Sequence, residues 1–187
     1  MNAPHPSGNQ SNGRSFRIYP ARPEHVPQLH ALIRGLADYE RLTHLCVATE
    51  CDLREALFGN PPAAEALVAT NANDSAAAAG FALFFHTYST FLGRRTLWLE
   101  DLFVAPAHRG VGIGRALLQA LARLAVERNC GRFEWAVLDW NTPAIAFYES
   151  LGASVLPDWR IARVTGEPLA RLAGSPGRQG DSNRANA

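Results

Sequence analysis

Apolar residues in the middle of the chain follow first the spacing of a strand and then that of a helix. From Leu97 to Val104 the sequence is apolar except for two adjacent acids, Glu100 and Asp101, which predicts a strand covered on both faces. Pro106 ends this run, and the apolar positions that follow recur every three or four residues, as on one face of an amphipathic helix. These positions are Ile113, Leu117, Leu118, Leu121 and Leu124. We therefore expect a buried strand, a tight turn and a long helix in succession.

The chain before this segment has the pattern of two helices and three strands. Apolar positions at helical spacing predict a first helix from about residue 24 to residue 41, and Thr49 is placed to cap a second helix. Short apolar runs at residues 15–19, 66–70 and 80–88 predict strands. The low-complexity stretch 71–79 predicts a hairpin loop between the last two of them.

The chain after the long helix predicts three further elements. Residues 133–138 have the pattern of a buried strand, Asn141 begins a short helix, and residues 159–164 predict a last strand. A strand, a crossover helix and a second strand favour parallel pairing between residues 97–104 and 133–138.

Composition indicates one domain with polar ends. A chain of 187 residues that is 47% hydrophobic can bury one sizeable core. Residues 1–14 and 174–187 are rich in Asn, Ser, Pro and Gly, so we expect two disordered tails around a single domain at residues 15–173. The N-terminal residues lack the apolar segment of a secretory signal, and no apolar run reaches membrane-spanning length, so a cytoplasmic protein without a membrane partner is expected.

Charge and cysteine content make two classes of partner improbable. The formal net charge is only +1, with 18 basic Lys and Arg residues against 17 Asp and Glu, so no basic field for nucleic acid is predicted. The three cysteines form no C-x-x-C pair and the histidines have no partner at ligand spacing, so we expect no metal site.

The turn between the buried strand and the long helix contains three alternating glycines, Gly110, Gly112 and Gly114. Glycines allow the backbone to approach a ligand closely, and the unpaired N–H groups and dipole of a helix start favour a phosphate or pyrophosphate. The spacing differs from G-x-G-x-x-G, and no Lys-Ser/Thr pair follows, so a tight turn without a ligand is an equally good interpretation of the glycines alone.

The segment Arg109-Gly-Val-Gly-Ile-Gly114 resembles the R/Q-x-x-G-x-G/A signature of the GNAT acyltransferases. Together with the segments 99–104, 140–148 and 151–153, it is similar to the successive motifs of the spermidine/spermine and thialysine acetyltransferase branch. The resemblance covers about residues 15–173. It implies an α/β fold with a central mixed, mostly antiparallel twisted sheet of about six to seven strands, a parallel pair splayed at the acetyl-CoA site, and about four flanking helices.

The resemblance also implies that acetyl-CoA is the cosubstrate and that no metal takes part. In the family the glycine loop holds the pyrophosphate, and the strand before it contacts the acetyl carbonyl and the pantetheine arm through backbone groups. The corresponding residues of the strand and loop are Leu102, Phe103, Val104, Arg109, Gly110, Val111, Gly112, Ile113, Gly114 and Arg115. At the start of the later short helix, Asn141, Pro143 and Ala144 would also bind the cofactor, and Asn141 could cap the helix as well.

Acetyl transfer to an amine needs a base for the ammonium proton and an acid for the departing thiolate. Glu100 lies in an apolar strand, where burial would raise its pKa toward that of a working base, although an ion pair with an arginine would also explain it. Asp101 would point to the opposite face of a regular strand, so both acids serve one site only if the strand has a bulge. Tyr148 corresponds to the tyrosine that acts as general acid in the family; core packing beside Phe147 is the alternative.

The expected acceptor is a small-molecule amine. By resemblance, Tyr39, Glu40, Glu100 and Asp101 would line its site. Thr43 and His44 stand where polyamine-specific relatives carry further acids, so a short diamine or a lysine-like amino acid such as thialysine is as credible as a polyamine. A protein N-acetyltransferase and a non-catalytic acyl-CoA sensor stay open as alternatives. The family is commonly dimeric, which implies a homodimer.

Overall fold

The computed structural model describes residues 9–11, 14–71 and 74–174. The chain divides into two compact units, residues 1–136 and residues 137–187. The first unit contains β1 (Asn9–Ser11), β2 (Arg14–Pro20), α1 (Val26–Tyr39), α2 (Glu50–Phe58), β3 (Glu65–Asn71), β4 (Asp74–Ser89), β5 (Arg94–Val104), α3 (Ile113–Glu127) and β6 (Arg132–Trp135). The second contains α4 (Thr142–Glu149) and α5 (Gly166–Leu172).

The strands of the first unit form one mixed sheet in sequential order from β1 to β6. Neighbouring strands are antiparallel except β5 and β6, which are parallel from Thr96 opposite Arg132 to Leu99 opposite Trp135. The predicted mostly antiparallel sheet with a parallel pair is therefore confirmed. The sheet has six strands when the three-residue β1 is counted and five without it, slightly fewer than expected, and the described helices are five.

Helices pack on the sheet through their apolar faces. Buried residues of α1 and α2 form one core with alternate residues of the inner strands, among them Val68, Phe81 and Phe103. The strand positions between these, such as Phe84, face the other side of the sheet. Arg128, at the C-terminal end of α3, lies over the Phe84 ring, so α3 covers that side. Its buried residues are Ile113, Ala116, Leu117, Leu118, Leu121 and Ala125.

Two predicted elements differ from the structure. The hairpin loop expected at residues 71–79 is wrong at residue 71 and at residues 74–79, because β3 extends to Asn71 and β4 begins at Asp74. The small residues of β4 continue the ladder with β3 through two register shifts, and residues 72 and 73 lie outside the described residues. Small side chains do not prevent a backbone ladder from forming, although they remove the apolar pattern that predicts one. The last strand expected at residues 159–164 is also wrong, because this segment has no regular secondary structure.

The ends of the domain differ in part from the expected boundaries. Residues 9–11 and Arg14, which we assigned to a disordered tail, lie in β1 and β2. The rest of residues 1–14, and residues 175–187 of the second tail, lie outside the described residues. The strand expected at residues 133–138 is shorter, since β6 ends at Trp135. The extent of a single domain at 15–173 stays a prediction.

Candidate active site

A bulge in β5 places the two adjacent acids. Leu83 of β4 faces Asp101, whereas the next residue, Phe84, faces Leu99, so Glu100 is the extra residue on β5. A bulge bends its strand and changes the direction of the side chains around it. The sequence analysis requires a bulge here if both acids are to serve one site, and β5 has that bulge.

Asp101 lies in the more buried environment of the two. Burial, and to a smaller extent the nearby charges of Glu100 and Glu40, together raise the pKa of the Asp101 carboxyl from its ordinary value of 3.8 to about 6. Glu40 caps the C-terminal end of α1, and burial raises its pKa as well. The end of α1 and the bulge of β5 therefore bring the carboxyl groups of Glu40 and Glu100 within electrostatic range of Asp101.

Glu100 is exposed, and its Oε2 atom accepts a hydrogen bond of 2.9 Å from the indole N–H of Trp98. The burial that the sequence predicted for Glu100 is therefore found at Asp101 instead. The reason is the bulge, since an extra residue leaves the ladder and its side chain no longer follows the alternation of the strand. The spacing of apolar residues along the strand did not indicate that Asp101 would be less exposed than Glu100.

The sheet opens next to the bulge. The parallel ladder between β5 and β6 ends at Leu99 and Trp135, one residue before Glu100. From Asp101 to Val104 the backbone of β5 is paired with β4 on one side only, within the described sheet. Leu102, Phe103 and Val104 lie in this segment, which ends at the glycine loop.

The predicted turn from β5 into α3 is confirmed. Gly110 and Gly112 have φ angles of 79° and 90°, values that favour glycine over other residues. Gly112 is the N-cap of α3, and no described side chain caps this end of the helix. The first amides of α3, from Ile113, Gly114 and Arg115, therefore form the kind of helix start that binds an anion.

The side chain of Arg109 contacts the end of α1. Its guanidinium carbon lies 5.1 Å from the centroid of the Tyr39 ring and 5.4 Å from that of Phe103. Its Nε donates a hydrogen bond of 2.9 Å to the carbonyl oxygen of Val104. The first unit thus brings Tyr39, Glu40, Glu100, Asp101, Phe103, Val104 and Arg109 into one region. The Tyr39–Arg109 contact has no signal in the sequence.

The second unit holds the other predicted site residues. Asn141 is the N-cap of α4, where its Oδ1 accepts a 3.4 Å hydrogen bond from the Ala144 amide, and Pro143 stands at the start of the helix. The predicted cap is confirmed. Tyr148 lies on α4 with its ring centroid 5.5 Å from that of Phe147, at an interplanar angle of 48°. This contact agrees with packing beside Phe147 and leaves the catalytic interpretation of Tyr148 a prediction.

The described part of the chain contains neither a helix suited to cross a membrane nor a cluster of side chains suited to bind a metal. Within residues 9–11, 14–71 and 74–174, none of the helices combines the length and apolar content needed to cross a bilayer. In the same ranges, no three His, Cys, Asp or Glu side chains are grouped so that they would hold a metal ion.

Comparison with known proteins identifies the class. Residues 32–153 match the GNAT acetyltransferase family, so the chain belongs to this family and is an N-acetyltransferase by class. It is 35% identical to an L-ornithine N5-acetyltransferase of Arabidopsis thaliana, over 89% of this chain and 92% of the relative. It is 36% identical to a thialysine N-epsilon-acetyltransferase of Mus musculus, over 86% of this chain and 98% of the relative.

Solved structures agree with this fold. An integron cassette protein of V. cholerae superimposes with a TM-score of 0.71 at 28% identity, covering 86% of this chain and 98% of its own. An aminoglycoside N-acetyltransferase solved in complex with CoA has a TM-score of 0.64 at 17% identity, covering 83% of this chain and 99% of its own. The second likeness shows the fold alone.

Proposed function

We propose that this protein transfers the acetyl group of acetyl-CoA directly to the terminal primary amine of a small basic substrate, and that this substrate is a lysine-like amino acid or a short diamine. The observation that carries the proposal is the β5 bulge, which places a half-buried Asp101 within range of Glu40 and Glu100 where the sheet opens. Buried carboxyl groups are a site for a cation, because an ammonium ion offsets both their mutual repulsion and their loss of water.

The carboxyl groups supply what the amine requires. An alkyl ammonium has a pKa of about 10.4, so it arrives protonated and must lose a proton before it attacks the thioester. With a pKa of about 6, Asp101 is roughly nine-tenths ionised at pH 7 and would hold the ammonium ion. Glu100, exposed and adjacent, would pass the proton to water. In this proposal Asp101 and Glu40 bind the amine and Glu100 is the base.

The open edge of β5 and the glycine loop would hold the cosubstrate. Backbone groups of Leu102, Phe103 and Val104 are placed on the side of β5 that lacks a described strand partner, which suits hydrogen bonds to the acetyl carbonyl and the pantetheine arm. The α3 amides and Arg115 would bind the pyrophosphate. Tyr148 would protonate the departing thiolate, and Asn141, Pro143 and Ala144 would contact the cofactor from the start of α4.

The names of the relatives support the amino-acid alternative. L-Ornithine and thialysine each carry a terminal amine on a side chain, and both relatives span most of this chain. A direct transfer is proposed because none of the cysteines, all free, stands in a nucleophile motif with a matched base. A stable acetyl-cysteine enzyme, seen by mass spectrometry after incubation with acetyl-CoA, would contradict direct transfer.

A homodimer is part of the proposal. Large apolar side chains of the second unit are exposed, and we propose that a second copy covers them. They are Val155, Leu156, Trp159, Ile161, Val164, Leu169 and Leu172. The cytoplasmic location stays a prediction from the sequence.

The test is thiol release from acetyl-CoA over ornithine, thialysine, lysine, putrescine, spermidine and a peptide amine, with Tyr148→Phe beside the wild type. We expect turnover on at least one small amine and a drop of roughly a hundredfold in kcat for the variant. Turnover on the peptide alone would favour a protein N-acetyltransferase. Saturable CoA binding without turnover on any amine would favour a sensor and overturn the proposal.

A further inference from the structure

Arg109 follows the open edge of β5, yet its side chain turns back toward the amine side of the site. The 2.9 Å hydrogen bond from Nε to the Val104 carbonyl oxygen fixes the base of the guanidinium at the last residue of β5. From there the guanidinium reaches the rings of Tyr39 and Phe103, at 5.1 Å and 5.4 Å. Both distances lie within the range in which a cation is attracted to an aromatic face.

Phe103 connects the same contact to the body of α1. Its side chain is buried, and a Cβ atom added at Gly35 of α1 would lie 3.2 Å from the Phe103 ring. The helix therefore approaches the strand closely at Gly35 and again, one turn later, at Tyr39 through Arg109. Glu40, which interacts with Asp101, is the next residue after Tyr39.

We infer that Arg109 is a positioning residue for the amine: it holds Tyr39, and with it Glu40, against the end of β5, and so couples occupancy of the glycine loop to binding of the amine. The inference rests on the proposed function for the role of Glu40 and Asp101. Arg109 belongs to the loop that would close around the pyrophosphate, so any ordering of that loop is passed to the end of α1 through the guanidinium. Coupling of this kind is reciprocal between two ligands.

The sequence suggests a different role for Arg109, a direct charge contact to the pyrophosphate. The two roles predict different kinetic changes. Loss of a phosphate contact lowers the affinity for acetyl-CoA, whereas loss of a positioning contact lowers the affinity for the amine. Arg109→Lys separates them, because lysine keeps the positive charge but lacks the planar group that stacks on a ring and the Nε donor.

The first experiment measures the KM of the amine and the Kd of CoA in the purified full-length protein. For Arg109→Lys we expect the KM of the amine at saturating acetyl-CoA to rise on the order of fivefold, whereas the Kd of CoA measured without the amine should change little. Arg115→Gln should show the opposite pattern, and Arg123→Lys, an exposed change on α3, should match the wild type. For Arg109→Lys, a rise confined to the Kd of CoA would overturn the inference.

A double-mutant cycle tests the partner. Tyr39→Leu removes the ring and Tyr39→Phe keeps it. We expect Tyr39→Phe to keep the wild-type KM for the amine, because the ring that stacks on Arg109 is still present. In the Tyr39→Leu background we expect Arg109→Lys to cause no further rise in that KM, because the contact is already lost. Fully multiplicative effects of the two changes on kcat/KM for the amine would show that the residues act independently and would contradict the inference.

Coupling itself is measured by calorimetry, with the best amine of the panel titrated into the protein with and without CoA. We expect CoA to tighten amine binding by at least about fivefold in the wild type and to leave it nearly unchanged in Arg109→Lys. The same factor in both proteins would refute coupling through Arg109.

A last readout needs no substrate and separates failure of this inference from failure of the proposed function. In NMR spectra, the ring current of Tyr39 should shift the side-chain proton resonances of Arg109 away from those of the exposed Arg123, and Tyr39→Leu should reduce that shift. If no amine of the panel binds but this shift is present, the contact stands and the substrate assignment fails. Arg109 resonances that are the same in wild type and Tyr39→Leu would overturn the contact.

Discussion

Asp101 shows how strongly one inserted residue changes the chemistry of its neighbour. In a regular strand it would face away from Glu100, but the bulge at Glu100 exposes the glutamate and leaves the aspartate half-buried within range of Glu40. Burial and two neighbouring carboxyl groups both disfavour the charged form of Asp101. Because its carboxyl pKa is about 6, changing Asp101 should alter the pH dependence of both activity and stability near neutral pH.

The pH dependence of activity tests whether the ionised Asp101 binds the amine. We expect kcat/KM of the wild type to fall as pH drops below about 6, because the carboxyl becomes neutral and no longer attracts the ammonium ion. Asp101→Asn should lose on the order of a hundredfold at pH 7.5 and lack this acidic limb. Glu127→Gln, on the end of α3, should keep the wild-type profile. If kcat/KM of Asp101→Asn still fell below about pH 6 as in the wild type, the ionisation responsible would belong to another group.

Stability should change in the opposite direction to activity. The folded-state pKa of Asp101 lies above its ordinary 3.8, so the folded protein binds more protons than the unfolded chain between about pH 4 and pH 6, and stability falls as pH rises through this window. Asp101→Asn should therefore raise the free energy of unfolding at pH 7.5, by about 2 to 3 kcal/mol at most. Urea titrations of the wild type and the variant at pH 7.5 and pH 4 measure this change in the free energy of unfolding. A gain of equal size at the two pH values would show that the ionisation of Asp101 is not its cause.

At the level of elements, the close approach of β4 to β5 determines where the open edge lies. Gly80 of β4 faces Val104, the last residue of β5, so β4 keeps one side of β5 paired to the end of the strand. The unpaired side of β5 arises because β6 stops pairing at Trp135. Strand length, more than strand composition, thus produces the gap beside the bulge.

Gly80→Ala tests this packing. An added Cβ would lie 2.7 Å from the carbonyl oxygen of Phe103, too close for a backbone contact, so β4 and β5 would have to separate. We expect a loss of about 2 kcal/mol in the free energy of unfolding, measured by urea denaturation. Gly131→Ala is the control, since its nearest neighbour is the end of the partly exposed Leu92 side chain, which can move. Equal losses in the two variants would show that the backbone contact is not the cause.

For the whole molecule, the second unit raises the question of assembly. Trp159 is 74% exposed and Ile161 is 72% exposed, in a segment whose alternation predicted a strand. An alternating pattern shows that one face of a segment is apolar, but a strand forms only where another strand supplies hydrogen-bonding partners. We expect a second copy to cover this apolar face.

Light scattering coupled to size exclusion checks the homodimer. The wild type should elute with twice the mass of the 20.3 kDa chain, and a double change of Trp159 and Ile161 to serine should shift it toward the monomer. Leu45→Ser, at another exposed apolar position, should leave the mass unchanged. A wild type that stays monomeric at micromolar concentration would contradict the proposal.

The sequence by itself determined the order of the elements from β2 to α4, the parallel pair, the cap at Asn141 and the turn at Gly110 and Gly112. These follow from apolar period, glycine conformation and local hydrogen bonds, all of which act between near neighbours in the chain. Only the tertiary structure decided that residues 9–11 form β1, that β4 starts at Asp74, that Asp101 and not Glu100 is the half-buried acid, and that Arg109 contacts Tyr39. Each depends on groups brought together from distant parts of the chain, whose register and burial no local pattern encodes.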